Sequence, residues 1–340
     1  MTLIEAIAEL THVLRRDRYS EKTLESYSGW VTRYFRWVKL EGHAGRAYMT
    51  AAGEVDHEAR VTAYLSMLAP TVGAATQTQA LCALVLFQRE VLGKALGQLP
   101  EWVTAKRPKR LPEWVTAAEA CAIFDRMRGM ARMMAELQFG AGLRLREVVG
   151  LRVKDLRLEE GTIMVRGGKG DKDRVTLLPQ SLVAPLREFL ERSRQLWEDD
   201  RRDGVPGVYL PEDVGRKYAG YATRWEWHWV FPSGKLSTDK VSGITRRHHA
   251  HPDLLNKAVG VACEKARLGR RVTSHAFRHG FATALLQSGR PIQEVAQLLG
   301  HVSIETTQIY LHCLPRLEER LTSPLDMARN VVPMMGRRCA

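Results

Sequence analysis

Residues 273–312 read TSHAFRHGFATALLQSGRPIQEVAQLLGHVSIETTQIYLH. With Thr273 or Ser274 as cap, a 3.6-residue period sets His275, Arg278 and His279 on one face of a helix and Phe277, Phe281 and Ala284 on another. Gly289 and Pro291 stop that helix, and a second short apolar helix runs to Gly300. A third presents Tyr310, nine positions after His301. One face of the first helix is suited to burial. The other gathers cationic donors near a lone phenol, a combination that points to phosphate chemistry.

Upstream, residues 131–139 form a helical pattern followed by GAGLRLREVVGLRVKDL. Gly140 and Gly142 break the helix before Arg144, which opens another helix bearing Glu147, Val148 and Val149. An arginine there presents a planar fork to a phosphate, although surface arginines are common. Residues 161–179 are the best strand pair in the chain: 162–166 and 174–178 are β-rich around the turn-rich GGKGDKD. Lys169 sits at the hairpin tip, either as a solvated turn lysine or as a mobile proton donor, with Lys172 as the competing candidate.

Residues 1–103 read as a small helical domain. Leu3, Ile4, Ile7, Leu10, Val13 and Leu14 recur at helical spacing, as do Leu24, Tyr27, Val31, Phe35 and Val38, and residues 76–92 form a third helix. AKRPKRLP follows, with the four cations Lys106, Arg107, Lys109 and Arg110 and two prolines. It is a solvated linker or an extended segment that tracks a phosphate backbone. From about 192 to 251 the pattern turns irregular. Trp225, Trp227 and Trp229 alternate with Glu226 and His228, so an extended segment would put three indoles on one face, for packing or for stacking an unpaired base. RRHHAH, at 246–251, adds His248 and His249 without the spacing of a zinc site.

The chain has 340 residues, 45% hydrophobic and 26% charged, a length that favours two domains. Its 51 Lys and Arg against 38 Asp and Glu give a net charge of +13, which favours a polyanionic partner. Five scattered cysteines without a CxxC pair argue against a disulfide framework. The N-terminal sequence lacks a signal-peptide pattern, and no apolar run approaches a membrane span, so the expected location is the cytoplasm.

Taken together, GxRxxE at Arg144, the hairpin Lys169, HxxRH at His275 and Arg278, LLGH at His301, and Tyr310 resemble the tyrosine recombinase (phage-integrase-type) family. RDRYSEKTLESY, AKRPKRLP, GKGDKDR and the RKYAGYATRWEWHWVFPS segment with its following RRHH look most like integron integrases, over nearly the whole chain to about residue 315. The resemblance implies a mainly α fold with a small antiparallel β-sheet. A helical core-binding domain at 1–103 and a basic linker at 104–113 would precede a mixed α/β catalytic domain at 114–330. That domain would carry an insert at about 192–251, a tail would occupy 331–340, and the whole would form a C-shaped clamp on DNA. A helix at about 317–327 would dock on a neighbouring protomer, in a homo-oligomer that is a tetramer at synapsis. Two positions depart from the family: Phe277 replaces the usual leucine, and Lys240 stands where some relatives carry proline.

Carried over, Tyr310 is the nucleophile, Arg144 and Arg278 clamp the phosphate, His275 and His301 support them, and Lys169 is the leaving-group acid. Lys106, Arg107, Lys109, Arg110, Trp227, His248 and His249 would contact DNA, with Trp225 and Trp229 as packing support. A phenol with a pKa near 10 is ionised only about once per thousand at pH 7, so it needs such help. Attack would leave a 3′-phosphotyrosyl enzyme and require no metal or other cofactor. The implied activity is site-specific recombination that integrates and excises gene cassettes at double-stranded primary and folded single-stranded cassette sites. The alternatives are a recombinase acting on double-stranded sites only, a metal-dependent nuclease, and a silent DNA-binding regulator.

Overall fold

The computed structural model describes residues 2–17, 19–40, 56–106, 113–167, 173–239 and 242–311. Lys169, Lys172, Arg107, Lys109, Arg110, Lys240 and the tail helix at 317–327 therefore lie outside the described residues. The chain divides into two compact units, Met1–Arg110 and Leu111–Ala340.

The first unit contains α1 (Leu3–Arg16), α2 (Glu21–Leu40), α3 (His57–Leu68) and α4 (Ala74–Glu90). Thr2 and Glu5 cap the start of α1 reciprocally, satisfying amides that the first turn leaves without partners. Leu10, Val13 and Leu14 of α1 pack with Val31, Tyr34, Tyr64, Leu84 and Phe87 into one core. The α3 helix was not foreseen, because its short apolar stripe holds only Val61, Tyr64, Leu65 and Leu68. Buried Gln77 donates to the carbonyls of Leu65 and Val103 and accepts from the amide of Ala105, tying the end of the unit to its core. Lys106 follows as an exposed residue.

The second unit runs α5 (Ala117–Phe124), α6 (Gly129–Ala141), α7 (Leu145–Val149), β1 (Leu156–Arg157), β2 (Thr162–Val165), β3 (Arg174–Leu177) and α8 (Gln180–Arg202). It continues through α9 (Glu212–Lys217), β4 (Pro232–Thr238), β5 (Thr245–His249), α10 (Pro252–Lys265), α11 (Ser274–Gln287), α12 (Ile292–Leu299) and α13 (Glu305–Gln308). The expected hairpin is present as β2 and β3, with Ile163 opposite Thr176, and β1 adds a third antiparallel strand. A core of Phe124, Met134, Leu137, Val148, Ile163, Leu186, Phe231, Val259 and Phe277 joins helices to sheet.

The region from 192 is not irregular at its start. The α8 helix continues to Arg202 because Leu182, Val183, Leu186, Ser193 and Asp200 lie on its buried face, while the charges of WEDDRR mostly lie in solvent. Buried Asp200 takes both forks of Arg247 on β5, which anchors the helix end to the second hairpin. The tryptophans do not share one extended face either. Residues 225–227 form a single 3-10 turn, which rotates the three rings apart. Trp229 is buried and donates to the carbonyl of Arg247, Trp225 packs edge-on to Trp197, and Trp227 faces a cavity. Among the described residues no helix is long and apolar enough to cross a membrane, and no cluster of three His, Cys, Asp or Glu side chains has metal-binding geometry.

Candidate active site

The α11 helix begins after Thr273, which occupies the cap position without a side-chain bond, and carries Arg278 into the protein interior. One guanidinium nitrogen donates to the carbonyl of Gly142 at 2.5 Å, and the other donates to the carbonyl of Leu299 at 2.6 Å. Those two carbonyls lie at the ends of α6 and α12, so Arg278 ties both helix termini to one point. Burial, with Arg144 close by, lowers its pKa to about 9, which leaves it cationic at neutral pH. Gly142 has φ of +65°, and a Cβ there would meet Phe281 at 2.4 Å, so only glycine fits the turn that presents this carbonyl.

Arg144 precedes α7 and is half-buried. Its guanidinium donates to Glu147 Oε1 at 2.7 Å and to the carbonyl of Gly300 at 3.3 Å. Glu147 is the common counter-charge. Its carboxylate also accepts the amide of Arg144 and a two-pronged pair from Arg174 at 2.9 and 2.6 Å, and it lies 3.9 Å from Arg278. Burial pushes its pKa up, but the bonds from Arg174 and Arg144 outweigh that effect and hold it at about 2. Three arginines thus face one carboxylate, and the excess positive charge is available to an anion.

His301 follows the left-handed Gly300. Its Nε2 lies 3.2 Å from the Arg278 guanidinium, and its Nδ1 lies 2.8 Å from the hydroxyl of buried Thr307. Since a guanidinium only donates, Nε2 accepts and the ring is neutral, with its proton on Nδ1. Burial and the Arg278 charge hold its pKa at about 4, in agreement with that assignment. His275 shows its outer edge to solvent, yet desolvation of its packed side and the Arg278 and Arg144 charges depress its pKa as well.

Tyr310 lies two residues beyond α13, in a turn where its amide bonds the carbonyl of Thr307, and not within a helix as expected. Its ring is 2% exposed and packs with Phe281, Leu286, Val295 and Leu299. The phenol oxygen lies 2.7 Å from Nδ1 of His279. Arg144, Arg278, His301 and their partners from four segments thus meet at one site, and His279, on the same helix as Arg278, joins Tyr310 to it. Sequence reading places Glu147 only on its helix and in the GxRxxE motif, and it gives Arg174 and Thr307 no function. For Arg174 the signal is the alternation that points it and Thr176 inward from β3.

Next to this site, and sharing Glu147 with it, α7 and the segment after it, the end of β2 and residues 209–249 enclose an open cavity of about 570 Å³. Trp227, Trp229 and His249 line it with Arg146, Arg152, Lys154 and Arg166. Arg152 spans it, donating to the carbonyls of Trp227 and Tyr209 while stacking 4.0 Å from the Trp229 ring. Lys154 Nζ rests 2.8 Å from the Trp227 ring centroid. His249 meets Trp229 edge-on, with Nδ1 bonded to the carbonyl of Ala250. His248, the next residue on β5, is not among the lining residues. The sequence reading missed Arg152 and Lys154, whose approach to the tryptophans spans more than 70 positions in the chain.

Residues 113–316 match the Phage integrase family, and residues 7–98 match the Phage integrase, N-terminal SAM-like domain. An integrase/recombinase of Escherichia coli is 39% identical over 325 residues, covering 95% of this chain and 94% of its own. Tyrosine recombinase XerA of Thermococcus kodakarensis is 28% identical over 333 residues, covering 98% of each chain. Among solved structures, a lambda integrase tetramer bound to a Holliday junction has a similar fold, with a TM-score of 0.58 at 15% identity, over 91% of this chain and 77% of that one. The chain belongs to the phage integrase family of tyrosine recombinases, enzymes of site-specific DNA recombination.

Proposed function

We propose that this recombinase uses Tyr310 as its nucleophile and acts at integron-type sites, pairing a double-stranded primary site with a folded single-stranded cassette site. The observation that carries the first part is the convergence of Arg278, Arg144 and His301 at the end of α12, with Tyr310 bonded to His279 on the helix that carries Arg278. In this reading the two arginines hold the scissile phosphate and stabilise the charge of the pentavalent transition state. The bond from the Tyr310 oxygen to phosphorus forms as the bond from phosphorus to the 5′ oxygen breaks. The phenol proton passes to the neutral imidazole of His275 or His301, and Lys169 supplies a proton to the departing oxygen. A 5′ hydroxyl of another strand then reverses these steps.

Support for folded single-stranded sites comes from the cavity bearing Trp227 and His249. It offers indole and imidazole surfaces beside four cations, the composition that holds an unpaired base and its phosphates. Lys106, Arg107, Lys109 and Arg110 would follow the duplex backbone, and His248 would contact DNA beside the cavity. A tetramer on DNA is proposed by likeness to the lambda integrase assembly.

The test starts from a site selected out of a randomised duplex pool by binding, then nicked to trap the covalent adduct. Wild type forms the adduct with EDTA present and Tyr310→Phe does not; equal trapping by Tyr310→Phe would exclude this nucleophile. In a recombination assay, Trp227→Ala lowers strand transfer with a hairpin site carrying flipped-out bases at least tenfold more than transfer between two duplex sites. Equal loss on both would leave a recombinase of double-stranded sites.

A further inference from the structure

Sequence reading set His279 on the same helical face as His275 and Arg278, and the recombination chemistry above gives it no part. Its position in the structure is specific. His279 Nδ1 lies 2.7 Å from the Tyr310 oxygen, with ring centroids 5.4 Å apart. One helical turn earlier, His275 packs edge-on against it at 4.6 Å and fixes the imidazole plane. The phenol ring is held on its other sides by Phe281, Leu286, Val295 and Leu299. Those contacts are apolar and set where the ring lies, but they do not set where the hydroxyl points.

An in-line attack needs the oxygen at a defined place, because displacement by about 1 Å at a reacting centre costs on the order of 100-fold in rate. His279 is a neutral imidazole, its pKa lowered to about 4 by burial and by the neighbouring His275 and Arg278. A neutral ring can accept the phenol proton in a hydrogen bond and leave oxygen lone pairs for attack, whereas an imidazolium can only donate to that oxygen.

We propose that His279 is a positioning residue for the recombination reaction, holding the Tyr310 hydroxyl in the orientation from which it attacks the scissile phosphate. The inference rests on Tyr310 being the nucleophile. His279 itself touches no DNA in this assignment, so its loss acts on the covalent step and not on binding.

Single-turnover adduct formation on the nicked duplex described above separates the possibilities. His279→Ala slows adduct formation about 100-fold with DNA affinity unchanged. His279→Asn, whose carboxamide places a hydrogen-bonding atom near the former Nδ1, restores the rate to within about fivefold of wild type. Thermal unfolding of both variants checks that each is folded, and His279→Asn carries the test if the alanine variant is not. Wild-type rates in His279→Ala, or a folded His279→Asn as slow as an alanine variant that retains its fold, would overturn the proposal. So would a folded His279→Asn more than about fivefold below wild type where the alanine variant does not fold. If wild type itself forms no adduct, or Tyr310→Phe forms one equally well, the nucleophile assignment fails instead, and the two failures are distinguishable.

Discussion

Glu147 joins the three arginines of the site, since Arg144, Arg174 and Arg278 all lie within ion-pair distance of its carboxylate. The Arg174 side chain is as buried as that of Glu147, so removing the negative charge leaves a guanidinium without its counter-ion in a dry setting. Glu147→Gln is expected to lower unfolding stability by about 3–5 kcal/mol, measured by urea denaturation at pH 7.5. A change below about 1 kcal/mol would mean that water reaches Arg174 and replaces the carboxylate. At this scale Arg144, Arg278, His301 and Tyr310 were legible because each belongs to a motif with fixed spacing. Arg174, Thr307 and Arg152 were not, because each acts across a long stretch of chain on a partner that spacing cannot identify.

Among elements, the turn between α6 and α7 matters most to the site. The φ of +65° at Gly142 and the 2.4 Å approach of Phe281 to any added Cβ exclude a side chain there. Gly142→Ala combines backbone strain with a clash and should cost roughly 1–3 kcal/mol. Because the Gly142 carbonyl holds Arg278, adduct formation should fall further than lost stability alone explains; an active, merely destabilised variant would separate the turn from the phosphate pocket. The helices and the main hairpin could be read from periodicity, whereas the full length of α8 could not. Its charged second half reads as irregular, because one of the contacts that anchor it, Asp200 to Arg247, reaches a strand 47 residues away. The tryptophan segment went wrong for a related reason: alternation predicts one shared face only if the backbone is extended, and here it turns.

Across the molecule, His228, His279 and His301 are all held at about pKa 4, chiefly by burial. In the unfolded chain a histidine titrates near 6.5, so between about 6.5 and 4 the unfolded state binds protons that the folded state does not. Their contribution to stability is therefore complete above about 6.5 and is lost as pH falls toward 4. Glu147, held at about 2, keeps its contribution down to about pH 4.5, where an unfolded glutamate begins to bind protons, and so adds little to a difference between pH 7.5 and 5. The urea midpoint is expected to be lower at pH 5 than at pH 7.5, and His301→Gln should flatten the difference; an unchanged midpoint would mean that these rings are protonated in the folded state.

The sequence by itself determined the helical first unit, the β2–β3 hairpin, the family resemblance and the order of Arg144, Arg278, His301 and Tyr310. These depend on local periodicity and on motif letters. Only the tertiary structure decided that Glu147 and Arg174 balance the arginine charges, that Arg278 is buried between two helix ends, and that Tyr310 meets His279. Residues 273–312 supply a phenol and four imidazoles, but charge balance and hydrogen-bond direction come from side chains that meet only when the chain folds. Such pairings are set by burial and distance in three dimensions, and neither is encoded in the spacing along the chain.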